Sequence, residues 1–310
     1  MYRPLPLRLA CCLILVTLLP ACCPDWLALT APTCPDTRPL GLIQLIEFHD
    51  IQGIRNWAHA LQQRNLKALV FVQRNMLEAY PAEFQWLAQQ GHEIAGGYAE
   101  EPFWDVPYET QLAEMQATRT QLEAVTGRPM RVFGSRYFAY DENTLKAADA
   151  LGIDYVLARG TSDVEALIYD PDEYNCQIIS VSNVVFEDMG RGSLCDYSLW
   201  ARGSTATEFA TVIDDALARH PRRLMLASHA YLGGVKAEWW AVFENVLDGD
   251  EIEWAADFDT WVAATSGTNL HVPLSLIPVN REVLYETPTP SVPLEDLADV
   301  DQMYNPCGAP

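Results

Sequence analysis

Two rhythms of apolar residues alternate along the chain. Short runs that are apolar nearly throughout give way to longer stretches whose apolar positions recur every three or four residues. The first rhythm suits strands covered on both faces; the second suits helices with one buried stripe. Leu42–Asp50 reads as a strand, and a helix follows Gly53 with Ile54, Trp57, Ala58 and Leu61 on one face. Lys67–Val72 is a β-branched strand. A helix opens at Pro81, carries Phe84, Leu87 and Ala88, and closes at Gly91. His92–Ala95 is the next strand. Tyr108–Thr126 is an amphipathic helix with Leu112, Met115, Leu122 and Val125 inward, stopped by Gly127 and Pro129.

The alternation continues. Met130–Phe133 is a strand, Asp141 caps a helix that ends at Gly152, and Ile153–Ala158 and Ile178–Val185 are strands. Thr205 and Glu208 form a capping box for a helix with Phe209, Val212, Ile213, Ala216 and Leu217 on its stripe. Leu224–Ala227 is a strand that terminates in Ser228-His229. Val235–Leu247 is helical, and Ile252–Ala255 closes the sheet. Strands that alternate with helices predict an α/β fold of parallel strands wrapped by helices, a (β/α) barrel. Apart from the Ile178–Val185 strand, the stretch Asp163–Gly203 is longer and irregular and reads as a loop insertion over one rim. Chemistry in such a fold collects where strands end, so His49, Asp50 and His229 are the first candidates.

Composition narrows the partners. The 310 residues are 49% hydrophobic and 20% charged, a globular balance, with a net charge of −22. Lysine occurs only at positions 67, 146 and 236. This balance argues against nucleic acid as a partner, because binding it depends on clustered Lys and Arg.

The N-terminus reads as an export signal. Arg3 and Arg8 precede an apolar run from Leu9 to Leu19, too short for a permanent membrane span. It ends in Leu19-Pro20-Ala21-Cys22, which resembles a lipobox with Cys22 as the lipid attachment point. The expected organisation is a signal peptide over 1–22, a Pro/Thr-rich tether over 23–40, the barrel domain over 41–270, and a Pro-rich acidic extension over 271–310. The expected location is the cell envelope, by lipid anchor or secretion. Export implies an oxidising space. Cys176 and Cys195 flank one loop and are expected to staple it; Cys34 and Cys307 are expected to tie the domain ends together.

Several segments resemble the polysaccharide deacetylase (NodB-homology) family. Its first strand ends in T-F-D-D-G; here Glu47-Phe48-His49-Asp50 stands in that place. The resemblance puts Asp50 on a metal-binding position and His49 on that of the general base. A second family segment, G-H-E-I-G-N followed by two His ligands, is matched by Gly91-His92-Glu93-Ile94-Ala95-Gly96-Gly97 and on to Glu101-Pro102. The ligand positions hold Gly97 and Glu101, so Asp50 and Glu101 are the candidate metal ligands. A third, R-P-P-Y-G, is matched loosely around Arg136, Tyr137 and Tyr140, which become candidate substrate contacts. The strand ending Leu226-Ala227-Ser228-His229 places His229 on the general-acid position.

The resemblance implies a distorted seven- to eight-stranded (β/α) barrel. It also implies hydrolysis of N- or O-acetyl groups on a cell-wall or extracellular glycan, with a divalent metal, most readily zinc. Gly97 offers no ligand and a His replaces the usual base. A second expectation therefore stands beside the first: a glycan-binding or scaffolding lipoprotein that has lost the hydrolase. A third is a glycosidase pairing Glu100 or Glu101 with Asp50. The partners implied are a polysaccharide or peptidoglycan glycan and, through the lipid, a membrane.

Overall fold

The computed structural model describes residues 38–49, 51–159, 164–186, 190–264 and 270–277. Strand β1 (Leu40–Glu47) leads to α1 (Gln52–Gln63), β2 (Leu69–Gln73), α2 (Arg74–Ala79), α3 (Pro81–Gln89), β3 (Glu93–Tyr98) and α4 (Tyr108–Thr126). Next come β4 (Val132–Ser135), α5 (Glu142–Leu151), β5 (Tyr155–Arg159), β6 (Leu167–Pro171) and β7 (Gln177–Val181). A hairpin, β8 (Asn183–Phe186) and β9 (Gly190–Ser193), leads to α6 (Asp196–Trp200) and α7 (Ala206–Leu217). The chain then runs through β10 (Arg223–His229), α8 (Ala230–Gly233), α9 (Ala237–Asp248), β11 (Glu253–Trp254), α10 (Phe258–Ala263) and β12 (Leu270–Val272).

The main sheet runs β10-β1-β2-β3-β4-β5-β7-β6-β12, with β11 beside β1. From β10 to β7 every pairing is parallel; β6 is antiparallel to β7. The parallel strands curl into a half-barrel. Its open side is bridged by single bonds: Leu194 N donates to Ser182 O at 2.9 Å, and Ala227 N donates to Leu194 O at 3.0 Å. Cys195 thereby pairs with Ala227 on β10.

Alternation along each strand sorts two cores. Ile43, Leu45, Val70, Ile94 and Phe133 pack with the helix residues Ile54, Trp57, Leu61, Phe84 and Met115. Leu42, Ile46, Phe71, Ala95, Leu157, Ile179, Met225 and Ala227 fill the inside of the curl. Gly53 lets α1 close on the end of β10: a Cβ there would lie 1.9 Å from the Ala230 carbonyl oxygen.

Both expected helix starts are present. Asp141 accepts from Thr144 N, and Thr205 from Glu208 N, each as a reciprocal capping box. Three expectations need correction. The buried face of α4 is Gln111, Met115, Thr118, Leu122 and Thr126, with Leu112 and Val125 only half-buried. Gln111 is tolerated inside because its amide donates to Val106 O and Asp141 Oδ1 and accepts from Thr144 Oγ1. The region 163–203 is not an irregular loop, since it contains β6, β7, the hairpin and α6. The single strand expected over Ile178–Val185 breaks at Ser182. There the carbonyl and hydroxyl accept from Leu194 N and Met225 N, turning the chain toward β10.

Candidate functional site

The C-terminal ends of the parallel strands bring the two candidate histidines together. His229 is the last residue of β10 and lies opposite Ile46 of β1. Just beyond, the buried Glu47 carboxylate accepts from the backbone N–H groups of both Phe48 and His49, each at 2.7 Å. That local turn ends the strand and sends His49 to the surface. The ring of Tyr231 lies 4.8 Å from His49 and 5.8 Å from His229, and Phe48 stands 5.6 Å from His229. Tyr197, from α6, covers the His229 ring at 4.6 Å. Asp50 lies outside the described residues.

Beneath His229 sits a carboxylate with no exposure at all. Asp196 Oδ1 accepts from Tyr197 N at 2.6 Å and His229 N at 2.8 Å, while Oδ2 accepts from Ser228 Oγ at 2.8 Å. Ser228 in turn accepts from Trp57 Nε1. Burial by itself pushes His229 down; the Asp196 carboxylate and Cys195 thiol beside it outweigh that and raise it to about 9. At neutral pH the imidazole therefore holds a proton, the form in which it acts as an acid. Cys195, Asp196 and His229 carry donor atoms within 4.8 Å of one another, and among the described residues they are the group able to hold a metal ion.

The β2–β4 side of the same rim is built differently. The Phe71 ring lies over two glycines on neighbouring strands. A Cβ on Gly97 would fall 2.8 Å from that ring and 2.9 Å from Val72 O; one on Gly134 would fall 2.8 Å from the ring. Phe71 is itself buried and meets Phe138 edge-on at 5.7 Å. Large here packs against small, the complementarity that close-packed interiors require.

Residues 50–156 match the polysaccharide deacetylase family. The fold agrees with solved structures. A Mycobacterium smegmatis protein described as a polysaccharide deacetylase superposes with a TM-score of 0.60 at 15% identity, over 77% of this chain and 94% of its own. A Pseudomonas aeruginosa protein with the same description gives 0.59 at 15%, over 75% and 92%. The Puue allantoinase gives 0.58 at 12%, over 76% and 92%. A comparison of the whole sequence with curated proteins finds no match.

The deacetylase resemblance implies a divalent metal held by residues at the ends of β1 and β3, and position 97 does not fit it. Gly97 has no donor, and Phe71 occupies the space a side chain there would need. Glu101 is exposed on the loop after β3. The remaining position, Asp50, is not described.

The other expected contacts divide. Arg136 is exposed, donates to Glu100 O at 3.3 Å, and lies 4.9 Å from the ring of Tyr137. Tyr137 is half-buried, and Arg159 at the end of β5 faces it at 5.6 Å. Tyr137 and Phe138 both adopt left-handed backbone, φ 60° and 52°. Such non-glycine conformations cost of order 1–3 kcal/mol each and persist where surroundings enforce them. Here Ser135 Oγ donates to Ala139 O at 2.6 Å and accepts from Phe103 N, clamping the turn that presents Tyr137.

Tyr140 is a correction. It is 2% exposed and packed in the helix-side core, so it cannot touch a ligand. The expected Cys176–Cys195 disulfide is also a correction, because both are free buried thiols. Cys176 precedes the start of β7 and donates to Leu145 O, while Cys195 neighbours the C-terminal end of β10. The two lie at opposite ends of the parallel strands. Cys22, Cys34 and Cys307 lie outside the described residues.

Sequence reasoning missed Phe71 and the role of Asp196. The Gly96-Gly97 pair on β3 and Gly134 on β4 were the available signal for the first. The second had none, since nothing in the spacing of Asp196 and His229 announces their contact.

Proposed function

We propose that this chain is a glycan-binding member of the deacetylase fold in which the family's metal-dependent hydrolysis has been lost. The observation that carries the reading is the Phe71 ring in the space of a ligand side chain at position 97. What survives at the strand ends is a surface suited to sugar. His49 is exposed, and Phe48, Tyr137, Tyr197 and Trp200 are half-buried, with Arg136 beside Tyr137. Aromatic faces with polar neighbours stack on sugar rings and bond their hydroxyls. The export signal and the Cys22 lipobox support a location in the cell envelope, where the glycan would be a cell-wall or extracellular polysaccharide.

The test is binding of acetylated chitooligosaccharides and peptidoglycan fragments, followed by calorimetry or affinity electrophoresis. Saturable binding, weakened roughly tenfold or more by Tyr197→Ala or His49→Ala, supports the reading. Absence of binding to every glycan, or binding indifferent to both substitutions, overturns it.

A further inference from the structure

We propose that Cys195, Asp196 and His229 form a binding site for a zinc-class divalent ion, separate from the family position at β1 and β3. The site goes beyond the glycan-binding reading and does not depend on it.

Three observations support the site. The thiol sulfur, a carboxylate oxygen and an imidazole nitrogen already lie within 4.8 Å of one another. Tetrahedral zinc, with bonds of about 2.0–2.3 Å, sets its donors roughly 3.5 Å apart, so small side-chain movements suffice. His229 is 8% exposed, and its Nδ1 is buried with no hydrogen-bond partner. The nearest carboxylate oxygen, Asp196 Oδ1, is 3.7 Å away, beyond hydrogen-bonding distance. A polar nitrogen enclosed in this way costs stability unless something satisfies it. Finally, one thiolate and one carboxylate together balance the charge of a divalent ion.

The existing bonds leave room. Asp196 accepts three hydrogen bonds, and a carboxylate has about four acceptor sites. Cys195 Sγ donates to Ser198 Oγ at 3.0 Å and accepts from Ser198 N at 3.2 Å. Metal binding releases the thiol proton and any proton on His229 to solvent. The Ser198 hydroxyl then turns to donate to the thiolate. Three protein ligands leave one coordination position for an outside group, the arrangement of an open rather than a closed zinc site. Thiolate and imidazole together select zinc, or cobalt(II) as its probe, over magnesium or calcium.

The experiment is a cobalt(II) titration of the full chain, purified without chelators, with elemental analysis of the same preparation. The expected result is one equivalent of metal and a near-ultraviolet thiolate-to-cobalt charge-transfer band. Cys195→Ser should abolish the band, His229→Gln should weaken binding at least about tenfold, and Cys176→Ser and Asp50→Ala should leave both unchanged. Should Cys195→Ser fail to fold by circular dichroism, the His229→Gln affinity carries the same decision. A wild-type protein with no charge-transfer band overturns the proposal. So does metal retained at full affinity in His229→Gln, or lost only in Asp50→Ala. Glycan binding is measured separately, so either idea can fall without the other.

Discussion

The two sides of the strand-end rim lie on one half-barrel and are built in opposite ways. On the β2–β4 side, two glycines and a phenylalanine make a packed apolar wall. On the β10–α6 side, a buried carboxylate, a thiol and an imidazole make a polar cluster. On the proposed reading, a deacetylase-like backbone frame and deacetylase chemistry are separable, since fold alone does not fix function. The frame is fixed by strand alternation and helix caps. The chemistry depends on which side chain fills each strand end.

The comparison is broken most forcefully on the packed side. Phe71→Ala should destabilise the protein by about 3–5 kcal/mol in denaturant unfolding, since it removes a buried ring from both glycines. Gly97→Ala alone should cost about 1–3 kcal/mol through overpacking against the ring and Val72 O. The double variant should lose less than the sum, by roughly 1 kcal/mol or more, because removing the ring relieves one of those clashes. Strict additivity would mean that Phe71 does not occupy the position-97 space.

On the polar side, Asp196→Asn should cost about 2 kcal/mol, because an amide cannot accept all three bonds that Asp196 accepts. It should also lower the His229 titration followed by imidazole NMR, since the carboxylate is what holds that pKa up. An unchanged titration would sever the Asp196–His229 link.

How much of this was legible in the sequence follows the same division. The strand–helix order, the Asp141 and Thr205 caps, and the placing of His49 and His229 on one rim all came from local pattern, which periodicity and capping chemistry encode directly. Tyr140 was misjudged because its neighbours in sequence lie at the rim while its own side chain turns into the helix-side core. Cys195 was misjudged because flanking the same segment says nothing of spatial distance; the strands carry Cys176 and Cys195 to opposite ends. The Phe71 plug depends on registers across β2, β3 and β4, which no single stretch of sequence contains.

A control far from the rim sharpens the contrast. His92, at the opposite strand ends, accepts from Ala68 N through Nδ1 and is held neutral. Burial, aided by Lys67, lowers it from 6.5 to about 4. A depressed histidine contributes stability that is full above pH ~6.5 and is lost as pH falls toward ~4, on the order of 3 kcal/mol in all. His92→Asn, which retains an acceptor without titrating, should flatten that part of the stability–pH curve. An unaltered slope would remove His92 from the account.

Acetate release from acetylated chitooligosaccharides and peptidoglycan, with and without added zinc, tests the loss of family hydrolysis most directly. The account predicts no release above background from the wild type, and no difference between it and Asp50→Ala. Zinc-stimulated release that disappears in Asp50→Ala would show that the family reaction proceeds despite Phe71 and contradict the account.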